Sequence, residues 1–392
     1  MLYLGIDIGK RTHVASLLDE KGKILFKAFS FSNTTEGGEK LLSNLNNFIN
    51  SSDEVEIGME ATGHYWLSLF SFLLEQSFTV YVVNPIQTDG WRKGTEIRKR
   101  KTDIIDSMLI ADLIRYGDFL EASLSDEDTL SLRNLSRFRN YLVNSSSDLK
   151  RKAVAVLDQV FPEYESVFSD IFGKTSKELL LHFSCAADFD DITSEQLKTA
   201  LENIKFKHLA AKKLDALSDL ANRSFAIKYA TDSFSLQIKM IIEQLNFIEN
   251  QIAQLDQELK LLLDKINSPI STIPGIGPVN EATILGEIGD INRFSTPSKL
   301  VAYAGLDASI SQSGEFTNPN SKMSKRGSPH LRKAIYQAAF IASVNDPVFK
   351  AYYLKKRSEG KHHIVAVSAC ARKMCNTIHA IMKKNIPYKP QI

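Results

Sequence analysis

Short apolar runs and longer helical patterns alternate along the first 118 residues. The runs predict five strands: Leu2–Ile8, Thr12–Asp19, Lys23–Phe31, Val55–Met59 and Phe78–Val83, the last one stopped by Asn84-Pro85. Apolar residues three and four positions apart predict three helices: Glu36–Asn50, Tyr65–Gln76 and one from Asp103 to about Tyr116. Three successive strands followed by alternating helix and strand indicate a mixed α/β domain over residues 1–125.

Residues 126–269 carry helical patterns almost throughout. From Ile238 to Ile266, apolar residues recur with alternating gaps of three and four, which predicts the seam of a coiled coil. The pattern leaves open whether the partner is a second copy of the chain or the helix predicted around Leu130–Leu157. Residues 160–235 have weaker helical patterns, and we interpret them as an inserted helical region without an assigned role.

Residues 270–392 are predicted to form a separate, small and mostly α-helical domain that is strongly basic. They hold 17 Lys and Arg against 7 Asp and Glu, whereas the whole chain has a net charge of only +2. Near their start, Gly275, Ile276 and Gly277 form a Gly-x-Gly turn ahead of a helical pattern. Such a turn can present backbone N–H groups to a phosphate, as in a helix-hairpin-helix-like element. The alternative is a tight turn between two packed helices.

The overall composition is that of a globular protein from a reducing compartment. Hydrophobic residues make up 43% and charged residues 24% of the 392 positions. Cys185, Cys370 and Cys375 provide no disulfide framework, and no apolar run approaches the roughly 18 residues of a membrane span. We therefore expect a cytoplasmic protein without membrane contact. Cys370, Cys375 and His379 share one helical pattern, for which we favour helix packing over zinc.

Four acidic residues suggest a metal centre. Asp7 lies in the first predicted strand, Glu60 follows the fourth, and Asp103 and Asp106 open the last predicted helix on one face. Carboxylate oxygens are preferred ligands of Mg²⁺, and two ions about 3.5–4 Å apart can hold both reacting oxygens of a phosphodiester. Any one of these residues alone fits a helix cap or strand end. Their order favours the metal interpretation.

Basic clusters are candidate contacts for a nucleic-acid backbone. Five basic residues and no acidic one occur between Asn318 and Lys333: Lys322, Lys325, Arg326, Arg332 and Lys333. A second group precedes the last predicted helix of the α/β domain: Trp91-Arg92-Lys93, then Arg98, Lys99, Arg100 and Lys101. The alternative for either group is a solvated surface.

A serine-rich segment lies just before the first of these basic clusters. Ser309, Ser311 and Ser313 alternate ahead of Gly314, so a strand would place the three hydroxyls on one face. A serine attacks a phosphodiester only when a base or a metal activates it. The pattern itself does not select one of the three.

The order of short motifs along the chain resembles the insertion-sequence "one-ten" family of transposases. The N-terminal motifs are Gly5-Ile6-Asp7, Glu60-Ala61-Thr62-Gly63, Asn84-Pro85 and Lys101-Thr102-Asp103-x-x-Asp106. The C-terminal motifs are Pro274-Gly275-Ile276-Gly277, Ala304-Gly305-Leu306, Ser313-Gly314 and Ser324-Lys325-x-Gly327 with Leu331-Arg332. Each motif is weak alone, but the ordered set is specific and spans nearly the whole chain.

This resemblance implies a RuvC-like, that is ribonuclease-H-like, domain, a coiled-coil spacer and a small transposase domain. It implies that Ser313 is the nucleophile and becomes covalently linked to DNA. Asp7, Glu60, Asp103 and Asp106 would hold two Mg²⁺ ions, for which Mn²⁺ could substitute. It further implies a structured guide RNA that pairs with donor and target DNA. The two halves of each site would come from different protomers of a dimer or tetramer.

Four other interpretations remain open at this point. One is a catalytically inactive nucleic-acid scaffold, against which the complete set of four carboxylates argues. A RuvC-like nuclease that resolves branched DNA would need the four carboxylates but no serine. A related site-specific DNA invertase would share the whole arrangement. A sugar-kinase-like or actin-like ATPase is suggested only by Gly5-Ile6-Asp7-Ile8-Gly9, without a second phosphate loop.

Overall fold

The chain divides into two compact units. The computed structural model describes residues 1–60, 63–83, 85–95, 102–117, 126–190, 192–202, 204, 207–308, 312–313, 316–317 and 322–390. Unit 1 comprises Met1–Asp126 and Gly289–Thr296, and unit 2 comprises Glu127–Ile288 and Pro297–Ile392. The finer division into three domains stays a prediction.

Five strands form one mixed sheet in unit 1. They are β1 (Leu2–Asp7), β2 (Thr12–Leu18), β3 (Ile24–Ser32), β4 (Val55–Glu60) and β5 (Thr79–Val83). Their order across the sheet is β3-β2-β1-β4-β5. β1, β2 and β3 form an antiparallel meander, whereas β4 and β5 continue parallel to β1. This arrangement confirms the mixed α/β domain and agrees with a ribonuclease-H-like plan.

The described part of unit 1 contains four α-helices: α1 (Thr35–Leu45), α2 (Trp66–Glu75), α3 (Pro85–Thr95) and α4 (Asp103–Tyr116). The hydrophobic pattern predicts all of them except α3, because a proline after β5 indicates only that the strand ends. Pro85 instead occupies the first position of α3. A backbone N–H at that position makes no hydrogen bond within the helix, so proline, which has none, is tolerated there, and its φ already has a helical value. α4 begins after Thr102, whose hydroxyl accepts a hydrogen bond from the Ile105 N–H at 3.3 Å.

A glycine lets α4 lie directly on β1. A Cβ at Gly5 would stand 2.0 Å from the Ser107 carbonyl oxygen, so only glycine fits there. At the other end of α4, Arg115 donates to the Glu20 carbonyl, at 3.4 Å, in the turn that follows β2. β2 is antiparallel to β1, so this turn lies at the start of β1. α4 therefore runs antiparallel to β1, with its first turn at the carboxyl end of the strand.

Replacing Gly5 with Ala is expected to destabilise unit 1 by about 3 kcal/mol, because the added methyl group would force α4 off the sheet. The matched control is Gly94→Ala on α3, where a Cβ would meet no heavy atom within 4 Å. The control should be neutral or slightly stabilising. Calorimetric unfolding of the full chain, together with amide exchange in α4, measures both effects. Equal stability and equal amide exchange in the two variants would contradict the close contact between Gly5 and α4.

Unit 2 is almost entirely helical. Its long and short helices before the Gly-x-Gly turn are α5 (Glu127–Val160), α6 (Lys174–His182), α7 (Ser194–Glu202), α8 (Lys207–Ala221) and α9 (Thr231–Ile266). Those after the turn are α10 (Pro278–Ile288), α11 (Pro297–Tyr303), α12 (Pro329–Asn345), α13 (Pro347–Ser358) and α14 (His363–Lys384). Two short strands, β6 (Gln312–Ser313) and β7 (Phe316–Thr317), form a hairpin between α11 and α12. The mostly helical remainder of the chain is thus confirmed.

The long helices α5 and α9 pack against each other in the same chain. Lys265 at the end of α9 binds Asp128 at the start of α5, with 2.8 Å between Nζ and Oδ1. Further along, Arg139 binds Asp256 through two hydrogen bonds of 2.5 and 3.1 Å, so the pair is antiparallel. Of the two partners that the heptad pattern left open, the structure shows α5. A coiled coil between copies stays a prediction.

The inserted region 160–235 folds as a helical layer on one end of this pair. Its buried apolar residues share a core with both long helices, including Leu157 of α5, Leu180 of α6 and Leu245 of α9. Tyr164 is fully buried there and hydrogen-bonds Ser176 Oγ at 3.0 Å. The region is therefore a packed part of unit 2.

Two further groups of sequence candidates in unit 2 lie on or beside packed helices. Cys370, Cys375 and His379 are buried on α14, and burial raises the pKa of Cys375 to about 12. A Cβ at Gly275, whose φ is +91°, would stand 2.2 Å from the Ala338 carbonyl oxygen of α12. Ile276 is also buried, whereas Gly277 is exposed. The helix-hairpin-helix assignment and its nucleic-acid contacts stay predictions.

Candidate active site

Two of the predicted carboxylates lie at neighbouring strand ends. β1 and β4 are adjacent and parallel, and Ile6 is paired with Met59. Asp7 and Glu60 are the next residues, so they end the two strands side by side at the carboxyl edge of the sheet. Asp7 lies two residues after Gly5, which places it on the sheet face that α4 covers.

The other two carboxylates lie at the same edge of the sheet, on the helix that covers β1. Asp103 and Asp106 occupy the first turn of α4, and this turn lies at the carboxyl end of β1. Asp106 is buried, with 7% of its surface exposed, whereas Asp103 is exposed. Carboxylates are favourable at a helix N-terminus because of the local positive potential. The fold therefore brings the four acidic residues to one end of unit 1.

Helix α3 supplies two contacts to these carboxylates that the sequence did not identify. Arg92 Nη2 donates to Asp106 Oδ1 at 2.8 Å, and Thr88 Oγ1 donates to Glu60 Oε2 at 2.7 Å. The Arg92 and Asp106 side chains are only 17% and 9% exposed, so the ion pair is sheltered from water. The only available signal was the triplet Trp91-Arg92-Lys93, which also fits a solvated surface.

The chemistry of the donor set suits a hard divalent cation. Within the ranges that the structure describes, no three His, Cys, Asp or Glu side chains are grouped as a preformed metal site. The carboxylate oxygens are nevertheless the correct ligand type, and the Arg92 guanidinium shows that this edge accommodates a positive charge.

In unit 2, the Ser313 backbone belongs to a small hairpin. Ser313 pairs with Phe316 across the two short strands. The segments that flank the hairpin in the sequence are joined to each other, and we call them the base of the hairpin. Ala308 and Met323 form a bridge, and the Ser324 N–H donates to the Asp307 carbonyl at 2.9 Å. The Ser324 hydroxyl also hydrogen-bonds the Asp307 carboxylate. Ser309 and Ser311 lie outside the described residues, so the predicted alternation of the three serines stays a prediction.

The basic residues beside the hairpin separate into two groups. Arg332 Nη1 donates to the carbonyls of Ala304 and Lys325, at 3.2 and 3.3 Å, and Lys333 binds Asn140 Oδ1 at 2.6 Å. These two side chains hold the local structure together. Three further basic residues have exposed side chains: Lys322, Lys325 and Arg326. Four predicted contacts in unit 1 fall outside the described residues: Arg98, Lys99, Arg100 and Lys101.

Two protein-family models match the chain on either side of the inserted region. An IS110 DEDD model described as "Transposase" matches residues 4–162, and the model "Transposase IS116/IS110/IS902 family" matches residues 267–354. The chain belongs to the IS110 family of transposases. The four acidic residues lie within the first match and Ser313 lies within the second, so both candidate sites are in the IS110-type segments.

Similar proteins align over nearly the full length of this IS110-family chain. The "Insertion element IS116 uncharacterized 44.8 kDa protein" of Streptomyces clavuligerus is 26% identical, and the alignment covers 99% of this chain and 96% of the relative. The "Pilin gene-inverting protein" of Moraxella bovis is 24% identical, over 100% of this chain and 98% of the relative.

Among solved structures, RuvC of T. thermophilus in complex with a Holliday junction substrate matches part of the chain. The match covers 30% of this chain and 98% of RuvC, at 14% identity and a TM-score of 0.23. This score is too low to indicate a shared arrangement, so a RuvC-like fold stays a prediction.

Among the described helices of the IS110-family chain, none combines the length and apolarity of a membrane span. A cytoplasmic location stays a prediction from composition.

Proposed function

We propose that this IS110-family transposase cuts and rejoins DNA through a covalent bond to Ser313, assisted by a divalent cation. The cation would be held by Asp7, Glu60, Asp103 and Asp106. The observation that carries the proposal is the convergence of the four acidic residues at one edge of the sheet, on β1, β4 and α4. A purely structural set of caps would not need to converge in this way.

The chemistry assigned to Ser313 conserves the phosphodiester bond energy. Its Oγ forms a bond to phosphorus, the bond to one bridging oxygen breaks, and the hydroxyl proton ends on the leaving oxygen. The serine–phosphate ester retains an activated phosphate, so a second DNA end can attack it, restore a phosphodiester and release the serine. The exposed Lys325 and Arg326 would hold the phosphate during both steps.

The carboxylates would supply the cation site for this reaction. A bound Mg²⁺ or Mn²⁺ would neutralise charge on the phosphate oxygens and lower the barrier to substitution. Glu60 is oriented by the Thr88 hydroxyl, which fixes one oxygen of that carboxylate. Asp106 is neutralised by Arg92, which would keep this edge stable until the ion enters.

The proposal includes nucleic-acid and protein partners. Donor and target DNA would contact the basic surface beside the hairpin, because such surfaces bind phosphate backbones. A structured guide RNA and a homo-oligomer, either a dimer or a tetramer, are proposed from the family resemblance. In such an assembly, Ser313 and the carboxylates would act on the same phosphodiester.

A covalent-trapping experiment tests the proposed function. The protein is purified with the RNA it retains, and is mixed with Mg²⁺ and labelled DNA that carries the joined ends of the element matching that RNA. Denaturing electrophoresis should then show labelled protein. Cut DNA without labelled protein would favour the hydrolytic nuclease that resolves branched DNA. The same reaction with a chelator is the control, and it should yield neither cut DNA nor adduct.

A further inference from the structure

A buried carboxylate in unit 2 lies at an electrostatically unfavourable position. Glu287 is the penultimate residue of α10, and only 1% of its surface is exposed. The end of a helix carries unpaired carbonyls and a partial negative charge, which repel a carboxylate. Burial adds a desolvation cost. Glu287 can therefore remain ionised there only if neighbouring groups compensate for both effects.

Helix α5 supplies the compensation on one side. Arg137 Nε and Nη2 donate to the two Glu287 oxygens at 2.6 and 3.0 Å, a bidentate pair. Arg133 Nε donates to the Gly286 carbonyl at 2.6 Å, in the last turn of α10. A Cβ at Gly286 would stand 2.6 Å from the Arg133 backbone nitrogen, so the two helices are in close contact. The end of α10 is thereby fixed to α5.

Ser328 completes the compensation from the other side. Its Oγ donates to Glu287 Oε2 at 2.8 Å and accepts from the Leu331 N–H at 3.1 Å, as the N-cap of α12. Burial raises the pKa of Glu287, but the hydrogen bonds from Arg137 and Ser328 outweigh it, so the pKa lies below its ordinary value. The carboxylate is thus ionised and bridges two helices and a loop.

The loop that ends at Ser328 is also the base of the Ser313 hairpin. The Ser328 N–H donates to the Tyr303 carbonyl at 2.9 Å, and the Lys325 N–H donates to the Gly305 carbonyl at 3.1 Å. A Cβ at Gly327 would stand 2.1 Å from the Tyr303 carbonyl oxygen. Residues 324–328 therefore lie closely along residues 303–307, from which the first strand of the hairpin continues. A shift at Ser328 would move both the exposed cations and the base of the hairpin.

We infer that Arg137, Glu287 and Ser328 form a positioning network that fixes the base of the Ser313 hairpin relative to α5. None of the three touches the phosphate; they act through the 324–328 loop. This inference rests on the proposed role of Ser313. A purely stabilising role explains the network poorly, because an ion pair with a buried carboxylate usually adds little net stability compared with apolar residues of similar size.

The test compares variants that separate this bridge from helix capping and general packing. Glu287→Gln keeps the size but weakens the bond to Arg137. Ser328→Asp still caps α12 but cannot donate to Glu287, whereas Ser328→Thr keeps the donor. The matched control is Glu281→Gln, also buried on α10; burial and the nearby charge of Asp264 raise the pKa of Glu281 to about 7.

Each variant is assayed as the full chain with its retained RNA, for adduct formation, RNA retention and amide exchange. In Glu287→Gln and Ser328→Asp, the adduct should fall about tenfold or more while RNA retention is unchanged. Amide exchange should accelerate in residues 322–332 but not in α9. Ser328→Thr and Glu281→Gln should resemble the wild type in all three measurements.

Two results would overturn the inference. One is an unchanged adduct in both Glu287→Gln and Ser328→Asp. The other is a uniform acceleration of exchange across unit 2 with loss of RNA, which would make the network a general stabiliser. If the wild type forms no adduct, the proposed function fails, but exchange in residues 322–332 still decides whether the network fixes this loop.

Discussion

Ser313→Ala is expected to abolish the covalent protein–DNA adduct, with a loss of roughly a thousandfold or more. Alanine has no oxygen to form the bond to phosphorus. Retained RNA and DNA binding should be unchanged, because the exposed Lys325 and Arg326 are untouched. Quantifying labelled protein after denaturation measures the loss, and a gel-shift assay measures the retained binding.

Ser311→Ala is the matched control for this result. Ser311 alternates with Ser313 in the sequence, so it shares the local composition but has no match to the family motif. The Ser311→Ala variant should form the adduct at a near-normal rate. Persistence of the adduct in Ser313→Ala, or its loss in Ser311→Ala, would assign the nucleophile elsewhere. Normal DNA cleavage by Ser313→Ala without any adduct would instead support the hydrolytic nuclease.

Asp7→Asn and Glu60→Gln are expected to lower strand cleavage about a hundredfold or more, while stability is maintained or rises. The amides keep the size of the carboxylates but cannot neutralise a divalent cation. Glu60→Gln can also keep its acceptor for the Thr88 hydroxyl. Removing one of two neighbouring negative charges relieves repulsion in the absence of metal. Cleavage should thus fall without a loss of stability.

Glu56→Gln is the matched control for these substitutions. Glu56 lies on β4 four residues before Glu60, so its side chain points to the same face but is away from the carboxyl edge. It should leave cleavage nearly unchanged. Thermal unfolding and cleavage are measured on the same preparations. A lower unfolding temperature in Asp7→Asn, together with loss of RNA, would mean that the carboxylates maintain the fold and do not hold a cation.

The local sequence pattern predicted most elements of unit 1 because period-2 and period-3.6 patterns report on residues that are close in the chain. The predicted strand Val55–Met59 is observed as Val55–Glu60, and the helix predicted from Asp103 ends at Tyr116 as expected. Helix α3 was missed because a single residue, Pro85, is compatible with two outcomes. A proline can end a strand or start a helix, and only the following tertiary contacts distinguish them.

The candidate site also separates into features that the sequence predicts and contacts that only the tertiary structure shows. The sequence by itself determined the candidate residues: four carboxylates in a fixed order, a serine beside a glycine, and the basic residues that follow. Only the tertiary structure decided that Arg92 and Thr88 of α3 contact the carboxylates, and that Glu287 connects Arg137 of α5 to Ser328. Arg137 and Glu287 are 150 positions apart, so no local period relates them.

The long helices give the clearest physical reason for this limit. The heptad pattern of α9 required an apolar partner, but it fitted another copy of the chain and α5 equally well. Periodicity describes which face of a helix is apolar, and burial of that face is non-directional. Only the tertiary structure shows that α5 lies along this face, with Asp128 bound to Lys265 and Arg139 bound to Asp256 across more than 100 positions of sequence.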